Sequence, residues 1–277
     1  MIICCGMGGS SVAGEMLSFA RPDVLVHWDW DLPINATPND HVICTSWSGN
    51  TAETISSYDA ARAKNIPVSV ITTGGTLAEK AKADGVPLVL LLNSGTPPRQ
   101  NAPAMATALF QLLGMGDIPT VDTAAIQAAG TKLASEIGSR IPIFYAGYPW
   151  RKVAGFFKTA VNENAKRHSW AANFPSAAHN EIVGWTTPEQ QHIVPVLIRD
   201  SGDRPQDARD AQAMVALLSE MEYTVPTVEL VGATPLEKAL NAYAMALWAS
   251  SAMATAAHIE PTDTTLIETF KHFKTTV

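Results

Sequence analysis

The chain has 277 residues, 47% of them hydrophobic, with 26 Asp and Glu against 19 Lys and Arg and a formal net charge of -7 at pH 7. Such a length fills one large domain or two of ordinary size, and an acidic balance with no long run of like charge excludes a nucleic-acid or anionic-membrane surface. The apolar stretches are too short or too interrupted to span a bilayer and the start carries no basic leader, so the expected location is the cytoplasm.

The first apolar run, residues 1–5, reads as a buried strand. It is followed by Gly6-Met7-Gly8-Gly9-Ser10-Ser11 and then by a helical pattern in Val12, Met16, Leu17 and Ala20. The glycines match a dinucleotide fingerprint only loosely: the final spaced glycine is missing, and no acidic residue closes the next strand, residues 24–28. Nicotinamide binding is therefore disfavoured.

A third run, residues 41–44, delivers Thr45-Ser46-Trp47-Ser48-Gly49-Asn50-Thr51 to a helix over residues 52–63. A buried strand, a glycine that admits close approach and the free N–H groups of a helix start make an anion cradle, to which Ser46, Ser48 and Thr51 add hydroxyls. The plain alternative is that Ser48 or Thr51 only caps the helix. Further strands are expected over residues 68–72 and 88–92, so the first part of the chain reads as parallel βαβ units whose loops lie at the carboxyl ends of the strands, where such sheets bind ligands.

Residues 117–123 read as a linker with a helix start behind them, which gives an expected division into 1–120 and 121–277. The second part opens a new series of strands over residues 141–147, 192–198 and 227–231. Val153, Phe156, Phe157, Ala160 and Val161 form the apolar stripe of a helix over residues 152–166, with Glu163 near its end. A stretch rich in Ala, Leu and Met, residues 236–258, reads as a largely buried helix. Cys4, Cys5 and Cys44 lie in apolar runs without paired Cys/His spacing and are expected as buried free thiols, with no disulfide framework and no zinc site.

Five segments in order, Gly6-Met-Gly-Gly-Ser10, Ser46-Trp-Ser-Gly-Asn-Thr51, Pro98-Arg99, Asn162-Glu-Asn-Ala-Lys166 and His179-Asn-Glu-Ile-Val-Gly-Trp185, resemble the bifunctional phosphoglucose/phosphomannose isomerases of the sugar isomerase (SIS) domain superfamily. The resemblance implies an α/β protein of two SIS domains, each a five-stranded parallel sheet flanked by helices in a doubly wound, flavodoxin-like arrangement. It further implies a homodimer with a sugar-phosphate site between the halves. Ser46, Ser48 and Thr51 look like the phosphate-binding hydroxyls, Gly9 and Ser10 like part of the sugar-facing loop, and Arg99, Glu163, His179 and Lys271 like the catalytic set. Lys274 lies close to Lys271. The implied substrate is a sugar phosphate, with no nucleic acid or membrane as partner. Departures are the short run before Gly6, Trp47 where a tyrosine is common, and Gln100-Asn101 after Arg99; Thr262, Thr264 and Thr265 are candidates for a role in tolerating both C2 epimers.

The residue types suit the implied chemistry. Moving a proton between C1 and C2 of an aldose phosphate takes one carboxylate, here Glu163. Ring opening takes a group that titrates near neutrality, here His179. Charge on a cis-enediolate is met by a fixed guanidinium, here Arg99. Neither a metal nor an organic cofactor is required. The competing readings are a surface pair of Glu163 with Lys166, a loop histidine, an anchoring Arg99 after Pro97-Pro98 and an ordinary exposed Lys271. At the level of function, the alternatives are a non-catalytic SIS sensor of sugar phosphates and an isomerase of another phosphosugar, such as an aminosugar phosphate.

Overall fold

In the computed structural model the described residues are 1–186 and 191–276. The chain divides into two compact units, Met1–Thr120 and Val121–Val277.

The first unit runs β1 (Ile2–Cys5), α1 (Val12–Ala20), β2 (Val24–His27), β3 (His41–Ser46), α2 (Ala52–Ala63), β4 (Val68–Thr72), α3 (Gly75–Ala83), β5 (Leu88–Leu90) and α4 (Ala102–Leu112). Its parallel sheet has the order β2-β1-β3-β4-β5. From β1 the chain winds one way to β2, and from β3 it winds the other way, so the switch of direction falls between β1 and β3 and sets their two following loops side by side. Alternation along the strands fills both faces. Ile3, Cys5, Val42, Cys44, Val68 and Val70 pack with Tyr58, Ala61 and Leu77 from α2 and α3. On the other face a Cβ at Gly14 would stand 2.5 Å from the Cβ of Cys4, so the glycine lets α1 lie close on β1. All three cysteines are buried and reduced.

The second unit runs α5 (Thr123–Ile137), β6 (Ile141–Gly147), α6 (Arg151–Asn164), β7 (Trp170–Phe174), β8 (Ile193–Arg199), α7 (Pro205–Glu220), β9 (Thr227–Glu229), α8 (Pro235–Ala256) and α9 (Thr265–Thr276). Asp122 caps α5 by accepting from the amides of Ala124 and Ala125. The parallel sheet has the order β7-β6-β8-β9. Phe144 meets Phe157 of α6 at 5.2 Å on one face, while Tyr145, Phe174 and Leu197 pack with Ala211, Met214 and Leu218 of α7 on the other. The architecture is thus α/β, with parallel sheets flanked by helices in both units.

Two expectations are corrected here. Among the described residues the second sheet has four strands, not five, because the chain passes from β9 directly into the 22-residue α8, where the first unit inserts α3 and β5. Residues 28, 91, 92, 192, 230 and 231 fall outside the strands expected to hold them, and Trp28, Leu92 and Val231 are exposed. Among the described residues no helix is long and apolar enough to cross a membrane.

Candidate active site

The site is best built from the loops at the carboxyl ends of β1 and β3. Ser10 and Ser46 are buried, and the Ser10 hydroxyl accepts from the Trp47 amide at 3.0 Å, which ties the glycine loop to the serine loop. Ser46 Oγ stands 3.0 Å from Thr51 Oγ1 and accepts from the Gly49 amide at 3.1 Å. Thr51 precedes α2 without capping it through its side chain, and the Ser48 hydroxyl accepts from the Asn50 amide at 3.2 Å within the loop. The capping alternative therefore does not describe these residues: their hydroxyls organise the loop that leads into the amino end of a 12-residue helix. That arrangement suits a phosphoryl group, because helix-start amides and hydroxyls all donate toward negative charge.

A third segment, residues 73–77 spanning the turn after β4 and the start of α3, holds the serine loop in place and was not singled out from the sequence. Thr73 donates to the Trp47 carbonyl at 2.6 Å from its hydroxyl, Leu77 N donates to the Gly49 carbonyl at 2.9 Å, and Thr76 donates to Asn50 Oδ1. Gly49 has φ +69°, and a Cβ there would stand 1.8 Å from the Gly74 carbonyl oxygen. Both the left-handed backbone and the absence of space require glycine. The Gly74-Gly75 pair after a β-branched run is the signal that marks this loop in the sequence.

Arg99 joins the same cluster. It lies on a 3-10 turn, Pro98–Asn101, and is 4% exposed. A Cβ on Gly9 would stand 2.4 Å from the Arg99 amide nitrogen and 2.7 Å from its Cα, so Gly9 is the place where the two loops touch backbone to backbone. The structure thus brings Gly9, Ser10, Ser46, Ser48, Thr51 and Arg99 into one patch of the first unit.

In the second unit the residues around Glu163 are clamps. Asn164 Nδ2 donates to Ser250 Oγ at 2.8 Å, both buried, which fixes the end of α6 to α8. Asn162 Nδ2 donates to the Arg167 carbonyl at 2.8 Å as the chain leaves the helix. Lys166 takes up left-handed backbone, φ +51°, and its ammonium donates to the carbonyls of Glu163, Pro261 and Asp263. Glu163 itself is half-buried on the last turn of α6.

His179 ends a 3-10 turn, Ser176–His179, five residues beyond the end of β7, and is exposed. Lys271 lies on α9, where its ammonium donates to Glu268 at 2.8 Å with both side chains 63% exposed. Such a surface pair is worth only about 0–1 kcal/mol and leaves the ammonium available to a stronger anion. Thr262 and Thr265 bond the carboxylates of Glu260 and Asp263.

Topology separates two of these groups. A crossover helix starts at the carboxyl ends of the strands and finishes at their amino ends. Glu163, on the last turn of α6, therefore stands at the amino end of the second sheet, close to the start of β7 at Trp170, which pairs with Ile143. His179 follows the opposite, carboxyl end of β7, at Phe174. About 16 Å of strand lies between the two ends, taking about 3.3 Å for each of the five residues of β7. Within one chain Glu163 and His179 are not brought together.

A doubly wound α/β protein with a hydroxyl loop at its switch point is the architecture of the sugar isomerase domains, and comparison with known proteins agrees. Residues 126–273 match the family described as bacterial phospho-glucose isomerase C-terminal SIS domain. Over 98% of this chain and 89% of its own length, the bifunctional phosphoglucose/phosphomannose isomerase of Aquifex aeolicus is 28% identical. That of Pyrobaculum calidifontis is 31% identical over 72% of this chain and 67% of its own. A D-glucosamine-6-phosphate 4-epimerase from Sulfolobus acidocaldarius is 30% identical over 79% of this chain and 72% of its own. Among solved structures, a hypothetical protein from Thermus thermophilus has the same fold, with a TM-score of 0.74 and 14% identity over 99% of this chain and 83% of its own. The chain belongs to the bacterial phosphoglucose isomerase family of SIS-domain enzymes, together with the bifunctional phosphoglucose/phosphomannose isomerases.

Proposed function

We propose that this chain is an aldose–ketose isomerase that interconverts glucose 6-phosphate, and mannose 6-phosphate, with fructose 6-phosphate through a cis-enediolate. The observation that carries the reading is the patch of buried hydroxyls, helix-start amides and buried Arg99 at the switch point of the first sheet. Ser46, Ser48 and Thr51 hold the phosphoryl group, and Gly9 and Ser10 line the sugar side. Glu163 carries the proton between C1 and C2, and Arg99 meets the enediolate charge without having to reorganise. His179 opens the ring. Lys271 adds a second cation toward the anionic oxygens.

Because Glu163 and His179 stand at opposite ends of one sheet, the reading assigns to each reaction centre the Glu163 of one chain and the His179 of a second copy. The working form is then a homodimer whose centres are incomplete in the monomer. Co-expression of Glu163→Gln with His179→Asn tests this. Each variant alone should lose about 10²-fold or more in kcat. In the mixture, half the molecules are heterodimers with one intact pair, so activity should return to about a quarter of wild type. Mixed protein as inactive as either parent overturns the shared centre, and full activity in Glu163→Gln overturns the mechanism.

A second reading is favoured by the epimerase relative: conversion of an aminosugar phosphate. Loss of substrate across a panel of hexose and aminohexose phosphates separates the two. A purely sensing role predicts thermal stabilisation by fructose 6-phosphate with no solvent deuterium entering C2.

A further inference from the structure

We propose that Tyr145 is a positioning residue for the turn that carries His179, acting through Glu181. The proposal rests on the assignment of His179 above. Tyr145 lies in β6, is 1% exposed, and donates from its hydroxyl to Glu181 Oε2 at 3.3 Å. Glu181 is two residues beyond His179 and is itself exposed, so it has no packing of its own to fix it. Burial and the neighbouring carboxylate push the Tyr145 phenol well above its ordinary range, which keeps it a donor at any working pH.

Apolar contacts hold the segment as well: Ile182, half-buried, packs against the core cluster beneath it. Ala177 is buried at one end, and Trp185 is wedged at the other, with its ring 5.2 Å from that of Tyr223 and its carbonyl accepting from the Tyr223 hydroxyl at 3.4 Å. Between these anchors lies a cavity of about 120 Å³, walled by Tyr145, Phe174, Ala178, Ile182, Met214 and Leu217 among others. His179 itself is exposed, and its location depends on where the turn is held two residues further on, at Glu181. A directional bond from the rigid central strand to Glu181 supplies that location, and positional error of about 1 Å at a proton-transfer group costs on the order of 10²-fold in rate.

The test compares Tyr145→Phe, Glu181→Gln, Glu181→Ala and the double variant Tyr145→Phe/Glu181→Ala in the full-length protein, with His179→Asn as reference. Tyr145→Phe keeps the ring and should lower kcat about tenfold with KM within about twofold, while the melting temperature stays within a few degrees of wild type. Glu181→Gln retains an acceptor and should keep most of the rate. The double variant should be no worse than the worse single, because both changes break the Tyr145–Glu181 bond and Tyr145→Phe in addition removes only the Trp185 contact to the same hydroxyl. Carbon-13 signals of the His179 ring should shift or broaden in Tyr145→Phe and in Glu181→Ala alike. Wild-type kcat with unmoved ring signals, or a double variant whose loss is the product of the two singles, overturns the proposal. If His179→Asn keeps full rate, the ring-opening assignment falls and positioning for catalysis falls with it, while the ring signals still report whether the tie exists. Should Tyr145→Phe fold poorly, Glu181→Ala on the surface carries the same test.

Discussion

Arg99 sits where it does because of a residue that has no side chain. Gly9 admits the Arg99 backbone at a distance no Cβ tolerates, and so the glycine loop, which carries Ser10, and the guanidinium are located by one contact. Gly9→Ala has no flexible neighbour to displace: the atoms it meets are main chain. The variant should lose about 1–3 kcal/mol of unfolding free energy and fall about 10²-fold in kcat/KM, measured by denaturant titration and by a coupled isomerase assay. An unchanged rate would show that Arg99 acts from a place the glycine does not set. From the sequence, Gly9 and Arg99 were each legible as candidates, but their contact joins residues ninety positions apart, which no local pattern encodes.

At the scale of elements, periodicity and end signals carried most of the fold. Residues 52–63 and 68–72 are bounded by a hydroxyl loop, a left-handed Asn65 and glycines, and the helix and strand fall where these signals put them. The strand β7 was missed because Trp170-Ala-Ala-Asn-Phe174 has no β-branched residue and sits at a sheet edge, where pairing with β6 rather than propensity makes it a strand. The fifth strand of the second sheet was implied by the family resemblance, and the sequence from β9 to α8 has no room for it. The pinning segment at residues 73–77 escaped notice because its role lies in bonds to Trp47, Gly49 and Asn50, in the loop after the neighbouring strand. One element carries a measurable signature. In α8, Thr234 Oγ1 accepts from Glu237 N while the Glu237 carboxylate accepts from the amides of Thr234 and Ala233, a reciprocal cap on a 22-residue helix. Thr234→Ala should cost about 1 kcal/mol in chemical denaturation with kcat unchanged, and Thr234→Ser should restore it.

For the molecule as a whole, acid sensitivity has an identifiable contribution from the first sheet. His41 at the start of β3 is half-buried, its Nε2 is 2.9 Å from Ser69 Oγ, and burial holds its pKa below the ordinary 6.5. A base that binds its proton less well folded than unfolded adds stability that is fully present above pH 6.5 and is lost as pH falls through 6.5 toward the folded value. The stability difference between wild type and His41→Asn should therefore shrink as thermal unfolding is repeated from about pH 7.5 down to about pH 5.5. A difference that stays constant or grows on acidification would mean that the imidazole is not held neutral in the fold. Further along the chain, three carbonyls gather on the ammonium of Lys166: that of Glu163, and those of Pro261 and Asp263, which precede α9. The main chain of Glu163, the residue proposed for proton transfer, and the segment leading into the final helix thus hang from a common peg. Under the proposed assignment, a displacement of the final helix would reach, through that ammonium, the residue proposed to move the C1–C2 proton.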